Sequence, residues 1–111
     1  MDVEVTNYKR CSLVKAVGRI DSASAPQLGE ELDQVMARGQ YKIVLDLKSV
    51  DFISSSGLRV LVTTLKNCRK YNRGDLILAR VPERVHAALD MAGFLPFLKI
   101  FDDVTSAVGH F

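Results

Sequence analysis

The chain has 111 residues, 48% of them hydrophobic and 25% charged, which are the proportions of one globular domain spanning residues 1–111. They exclude a disordered chain, which has few hydrophobic residues, and a collagen-like chain, which has far more than seven glycines. The 15 Lys and Arg against 13 Asp and Glu leave a net charge of +2, which gives little support to nucleic-acid binding.

The N-terminal segment is predicted to form a β-hairpin. Val3 and Val5 alternate with polar residues, and the polar stretch Asn7–Arg10 supplies a turn. A second apolar run follows and ends at Gly18. The outer strand of such a hairpin tolerates solvent on one face, because its polar residues alternate with apolar ones.

The segment from Asp21 to Pro26 is typical of the start of a helix. Ser and Asp side chains cap free N–H groups, and proline fits the first helical position because its missing N–H is not needed there. The apolar residues that follow recur at helical spacing, namely Leu28, Leu32, Val35 and Met36. The helix is predicted to end at Arg38-Gly39, a cation and a glycine that suit a helix C-terminus.

The middle of the chain is predicted to hold a buried strand and the most regular helix. Ile43–Leu47 is apolar on consecutive positions, as in a central strand buried on both faces. A polar loop is then expected before Phe52-Ile53 and the serine segment, Ser54–Gly57. The apolar residues of the next helix are spaced by three and four: Leu58, Leu61, Val62, Leu65, Cys68 and Tyr71. Asn72-Arg73-Gly74 is predicted to stop this helix.

The last third of the chain is predicted to add two strands and two helices. Leu76–Ala79 indicates a second buried strand, and Pro82 opens a helix that Gly93 ends. Phe97–Phe101 indicates a short last strand, and a final short helix starts at Asp102-Asp103. The resulting order, β-β-α-β-α-β-α-β-α, predicts an α/β fold with right-handed crossovers between parallel strands. We expect one mixed, mainly parallel sheet with about four helices packed largely on one face.

The chemistry-bearing residues do not form a catalytic motif. The sequence contains no glycine-rich phosphate loop, no Gly-x-Ser-x-Gly and no His-Glu-x-x-His. The two histidines, His86 and His110, are expected at the surface, and Cys68 is expected to be buried and to serve only in core packing. With Cys11 as the only other cysteine, neither a disulfide framework nor a metal-ligand pair is predicted. We therefore expect no enzyme activity, no cofactor and no metal.

The sequence also shows no signal for secretion or membrane insertion. No apolar run approaches the ~20 residues of a membrane span, and the start Met1–Glu4 is acidic. We expect a reduced, cytoplasmic protein with no direct contact with nucleic acid or membrane. The basic residues of the second helix are interpreted as a solvated face, with an acidic-partner or membrane patch as the alternative: Lys66, Arg69, Lys70 and Arg73.

The serine segment is the unusual feature of the sequence. Capping a helix needs one hydroxyl, so three consecutive serines leave at least one facing solvent. A phosphate there would meet free N–H groups and the positive end of the helix, and would add about −1.5 to −2 charge. The site therefore suits a switch that changes binding without unfolding the domain. Plain capping of the helix is the alternative.

Two motifs carry a resemblance to a known family. Asp46–Leu61 resembles the signature of STAS domains, specifically the anti-sigma factor antagonists, and Gly18–Asp21 resembles their second motif. The resemblance covers essentially the whole chain. It implies a partner-switching protein that, when unphosphorylated, binds an anti-sigma factor with serine kinase activity and so releases a sigma factor. Phosphorylation of one serine in this loop by that kinase would inactivate the protein, and a PP2C-type phosphatase would remove the phosphate and restore the unphosphorylated form.

The resemblance also implies which residues act. The phosphate acceptor falls on Ser55, with Ser54 and Ser56 less favoured, and many antagonists carry Asp where this chain has Ser54. The implied partner-binding residues surround the acceptor: Asp21, Ser54, Ser56, Gly57, Leu58 and Arg59. One alternative is a STAS adaptor subunit of a membrane-transport complex, whose loop docks without being phosphorylated. A nucleotide-sensing domain is a weaker one, because it would need a glycine-rich phosphate loop.

Overall fold

The computed structural model describes residues 1–71 and 73–111. Its elements follow the predicted order: β1 (Asp2–Asn7), β2 (Ser12–Ile20), α1 (Ala25–Ala37), β3 (Lys42–Ile53), α2 (Ser55–Lys70), β4 (Asp75–Ala79), α3 (Glu83–Met91), β5 (Lys99–Phe101) and α4 (Val104–His110). A short 3-10 turn, Leu95–Phe97, precedes β5. Among the helices that the structure describes, none has the length and hydropathy that crossing a bilayer requires.

The five strands lie side by side in chain order, with β1 antiparallel to β2 and the remaining neighbours parallel. Because each right-handed crossover moves to the next strand in the same direction, α1, α2 and α3 lie on one face of the sheet. Their apolar residues join Val14, Leu45 and Leu78 in one buried core. The short α4 covers the other face around Val44 and Ile77. The predicted α/β fold is confirmed.

The polar loop predicted after Leu47 is wrong, because β3 continues without a break to Ile53. The nine-residue β2 pairs with this extension through two register irregularities, and its last residue, Ile20, lies opposite Ile53. The pairing of β3 with β4 ends at Asp46, so the polar residues beyond it face solvent instead of a second strand. The long strand delivers the serine segment directly to the end of β2.

Two predicted element ends also shift. The strand predicted over Phe97–Phe101 begins only at Lys99, because Phe97 N–H donates to the Phe94 carbonyl (3.0 Å) in the 3-10 turn. Tyr71 lies beyond α2 and is exposed, with its ring centroid 5.1 Å from that of Tyr41. Asn72, part of the predicted helix stop, lies outside the described residues.

The predicted environments of Cys68 and of the two histidines are confirmed. Cys68 is fully buried on α2, and burial, followed by the nearby Asp75 charge, raises the pKa of its thiol to about 12. Cys11 is also buried, and both cysteines are free thiols. His86 and His110 are exposed. A buried thiol with a raised pKa is a poor nucleophile, so Cys68 contributes packing.

Candidate functional site

The serine segment lies where β3 passes into α2. The backbone N–H of Ser54 donates to the Ile20 carbonyl (2.7 Å), which ties the junction to the end of β2. Ser54 has extended backbone angles, and its Oγ accepts a hydrogen bond from the Gly57 N–H (3.2 Å). This is the geometry of a helix N-cap, so the Ser54 hydroxyl has a structural role.

The other two serines differ in exposure. Ser55 is the first residue of α2 and is exposed, and within the described part of the chain its hydroxyl forms no hydrogen bond. Ser56 is half-buried and lines a groove between α1 and α2. Of the three hydroxyls, the one on Ser55 is therefore the most accessible to another protein.

Gly57 brings the start of α2 close to the ends of β2 and β3. A Cβ atom at this buried position would lie 2.5 Å from Ile20 Cγ2 and 2.7 Å from Ile53 Cγ1. Its backbone is helical, so the glycine is required for space. Gly18 is different, because its φ of +114° lies in a region that side chains avoid.

We expect Gly57→Ala to destabilise the domain by about 1–3 kcal/mol, because overpacking forces buried side chains to shift. Gly29→Ala is the matched control, since Gly29 also lies inside a helix but its Cβ would meet Val60 at an ordinary 3.6 Å. The control should be neutral or stabilising. Urea unfolding of both variants measures the difference, and equal stabilities would contradict the close approach at Gly57.

Asp21 lies beside the serine segment, in the loop between β2 and α1. Its Oδ1 accepts hydrogen bonds from the backbone N–H groups of Ser24 (2.9 Å) and Ala23 (3.0 Å) and from the Ser24 hydroxyl (3.1 Å). These hydrogen bonds lower the pKa of Asp21. The two from Ser24 have the largest effect, and the hydrogen bond from Ala23 and the positive charge of Arg19 lower it further. Oδ2 forms no hydrogen bond to the residues described, so it is available to a partner.

The lowered pKa of Asp21 predicts a pH-dependent contribution to stability. The ionised form stabilises the fold above the ordinary carboxyl pKa of about 3.9, and this contribution is lost as the pH falls through the lower folded pKa. Asp21→Asn should therefore lower Tm at pH 7 but less so near pH 3. Asp102→Asn, at an exposed carboxylate, controls for net charge. A pH-independent difference would show that the charge is unimportant.

Arg59 and Leu58 continue the site along α2. Arg59 is exposed and lies four residues after Ser55, hence one turn further on the same helix face. Leu58 is half-buried against the core. Arg59 and Ser56 form one wall of the groove between α1 and α2, and Ser22 and Pro26 belong to the other wall. The sequence did not identify Ser22 and Pro26 as residues of the site. Only the packing of α1 beside α2 brings them to the site.

The start of α2 favours an anion. The first turn of α2 has no acidic residue, so the positive end of the helix dipole is not offset there. Arg59 adds a positive side chain that forms no ion pair with any described residue. Among the described residues no cluster of His, Cys, Asp or Glu could hold a metal ion. The site is thus a surface around an exposed hydroxyl.

Comparison with known proteins identifies the fold family. Residues 2–107 match the family model described as STAS domain. The chain belongs to the STAS domain family. This STAS domain is 34% identical over 94 residues to a protein named as an anti-sigma factor antagonist, BtrV of Bordetella bronchiseptica, covering 85% of this chain and 80% of that one. It is 28% identical over 109 residues to the anti-sigma F factor antagonist of Paenibacillus polymyxa, covering 97% and 92%.

Solved structures of the antagonist SpoIIAA share the fold. The unphosphorylated form superposes with a TM-score of 0.83 at 14% identity, covering 98% of this chain and 95% of that one. The phosphorylated form of SpoIIAA from Bacillus gives a TM-score of 0.76 at 14% identity, covering 98% of each chain. The resemblance to STAS domains of the anti-sigma factor antagonist type, predicted from the two sequence motifs, is confirmed.

Proposed function

We propose that this STAS domain is an anti-sigma factor antagonist that binds an anti-sigma factor with serine kinase activity and is switched off when that kinase phosphorylates Ser55. The observation that supports this proposal most strongly is the exposed Ser55 hydroxyl at the first residue of α2. The names of relatives such as the anti-sigma F factor antagonist support the class of function. In this proposal the chain is a kinase substrate and a binding partner in the cytoplasm rather than an enzyme, and a PP2C-type phosphatase restores it.

The environments of the three serines favour Ser55 as the acceptor. Ser54 Oγ caps α2, so its esterification would remove the bond from Gly57 N–H. Ser56 is half-buried in the groove between α1 and α2. Transfer to Ser55 forms an Oγ–P bond, breaks the bond between the γ-phosphorus of ATP and its bridging oxygen, and releases ADP and the hydroxyl proton. It requires no rearrangement of the cap.

The fold tolerates a phosphate on Ser55. The added dianion lies near the free N–H groups and the positive dipole end of α2, whose first turn holds no acidic residue. Arg59, four residues along the same face, can approach the phosphate, and such charge-assisted hydrogen bonds are among the stronger ones. Phosphorylation therefore changes the surface and leaves the core intact.

The same phosphate opposes docking because Ser55 lies at the centre of the proposed contact surface. That surface is formed by Asp21, Ser56, Leu58 and Arg59 around the acceptor. About −1.5 to −2 added charge disfavours a partner whose facing groups are apolar or acidic, and it draws Arg59 away from the partner. A hundredfold loss of affinity requires only about 2.8 kcal/mol, which one misplaced charge can supply.

Phosphate mapping tests the proposal. The purified chain is incubated with ATP and each candidate anti-sigma kinase of the same organism, and the modified residue is located by mass spectrometry. We expect one phosphate on Ser55, none on Ser55→Ala, and normal modification of Ser54→Ala and Ser56→Ala. Modification of Ser54 or Ser56 instead would contradict the assignment. A chain that binds its partner but is modified by none of the kinases would support the adaptor alternative.

A further inference from the structure

A second surface lies at the opposite end of the sheet from the serine segment. Three connections meet there: the β1–β2 turn, the α1–β3 loop and the α2–β4 loop. They are neighbours because Ser12 is paired with Ile43, and Lys42 with Asp75, at the amino ends of adjacent parallel strands. The serine segment follows the carboxyl end of β3, where Ile53 is paired with Ile20.

This end of the molecule concentrates positive charge. Six cations lie in or directly next to the three connections, and none forms an ion pair with a described residue; we call them the basic edge: Lys9, Arg10, Arg38, Lys42, Lys70 and Arg73. The one carboxylate there, Asp75, is buried and already paired with Arg69 (3.1 Å) and Lys99 (3.3 Å). The overall net charge of +2 conceals this segregation.

Aromatic residues accompany the cations. Tyr8 lies in the β1–β2 turn and is 46% exposed, and Tyr71 lies in the α2–β4 loop and is 44% exposed. A polar hollow of about 300 Å³ between the β1–β2 turn and the α1–β3 loop is lined by Lys9, Arg10 and Lys42. Tyrosine rings with a polar tip, beside Lys and Arg, are the combination that suits the headgroup region of a bilayer.

The geometry favours a broad anionic surface over a nucleic-acid strand. Binding of single strands depends on free aromatic faces for base stacking. The Tyr71 ring instead contacts Tyr41 and has the Lys70 Nζ 5.5 Å from its centroid. The cations are also distributed over three loop ends, not along one groove or helix that could follow a phosphate backbone.

We propose that the basic edge docks this domain on a bilayer that contains anionic phospholipid. Clusters of four to eight Lys and Arg are the usual feature of such electrostatic attachment. The docked domain would present Ser55, at the other end of β3, to the solvent. We expected from the sequence no membrane contact, because it contains no apolar run long enough for a membrane span, and a solvated face at Lys70 and Arg73. The second expectation considered α2 alone, whereas the fold places these two residues at the same end of the sheet as Lys9, Arg10 and Lys42.

Vesicle co-sedimentation of the full chain tests the inference. We expect binding to vesicles of phosphatidylcholine with about 30% phosphatidylglycerol, no binding to phosphatidylcholine alone, and release at about 0.5 M salt. The triple variant Lys9→Gln, Arg10→Gln, Lys42→Gln should lower the affinity about tenfold or more. The triple variant Lys48→Gln, Lys66→Gln, Arg84→Gln removes the same charge from exposed positions elsewhere and should change the affinity less than about twofold.

Circular dichroism of both triple variants verifies that they are folded. Three results would overturn the inference: no binding of the unmodified chain to anionic vesicles, equal losses in the two triple variants, or tighter binding to a single-stranded oligonucleotide than to the vesicles. The first two would exclude lipid attachment through the basic edge, and the third would make nucleic acid the partner.

Discussion

The Ser55→Ala variant should bind the anti-sigma factor with the affinity of the unphosphorylated protein and should keep that affinity after incubation with ATP. The unmodified chain, in contrast, should lose about a hundredfold under the same conditions. The substitution should change the free energy of unfolding by less than about 0.5 kcal/mol, because the side chain is exposed and forms no hydrogen bond to the described residues. Titration calorimetry with and without ATP measures both affinities.

Ser54→Ala is the control for this prediction. It removes the N-cap hydroxyl, so it should lower the free energy of unfolding by about 1 kcal/mol. Incubation with ATP should still weaken the binding of this variant to the anti-sigma factor. Ser55→Glu should weaken binding only in part, because a carboxylate carries less charge and fewer acceptor oxygens than a phosphate. If Ser55→Ala itself abolished binding with an unchanged circular dichroism spectrum, the hydroxyl would be an essential contact and the switch would be wrong.

Gly74→Ala is expected to have the largest effect on stability. A Cβ at Gly74 would overlap the Tyr41 carbonyl oxygen and lie 2.5 Å from the Cys68 carbonyl oxygen. These are backbone atoms, and Tyr41 O is held by the Asp75 N–H (3.0 Å), so neither can move aside as a side chain would. We expect a loss of about 3 kcal/mol and a Tm lower by about 10 °C or more.

Gly109→Ala is the matched control for Gly74→Ala. Gly109 lies within α4, and its Cβ would meet no described atom within 4 Å. Alanine there should leave stability unchanged or raise it by about 0.5–1 kcal/mol. Thermal unfolding followed by circular dichroism compares the two, and a Gly74→Ala variant as stable as its control would contradict the close approach of Gly74 to the backbone of Tyr41 and Cys68.

The sequence predicted the elements whose signals are local. The helical spacing from Leu58 to Cys68 and the apolar runs of β3 and β4 reflect burial by nearby residues, and the structure confirms them. The extension of β3 beyond Leu47 could not be predicted in this way. Its polar residues form a strand only because the distant β2 pairs with them.

For the candidate site, too, only the locally encoded features could be predicted from the sequence. The order of residues placed Ser54 to Gly57 at a helix start, but which hydroxyl caps α2 and which faces solvent depends on the backbone angles at Ser54. The tight fit of Gly57 against Ile20, the groove wall at Ser22 and the clustering of Lys9 with Lys42 all join segments distant in the chain. No local pattern encodes such contacts.

The most direct test of the proposed switch compares the dissociation constants of the anti-sigma factor for the chain fully phosphorylated on Ser55 and for the unphosphorylated chain. We expect phosphorylation to raise the dissociation constant about a hundredfold, with superposable circular dichroism spectra of the two forms. Equal dissociation constants would rule out the switch, as would a phosphorylated chain that has lost its folded spectrum.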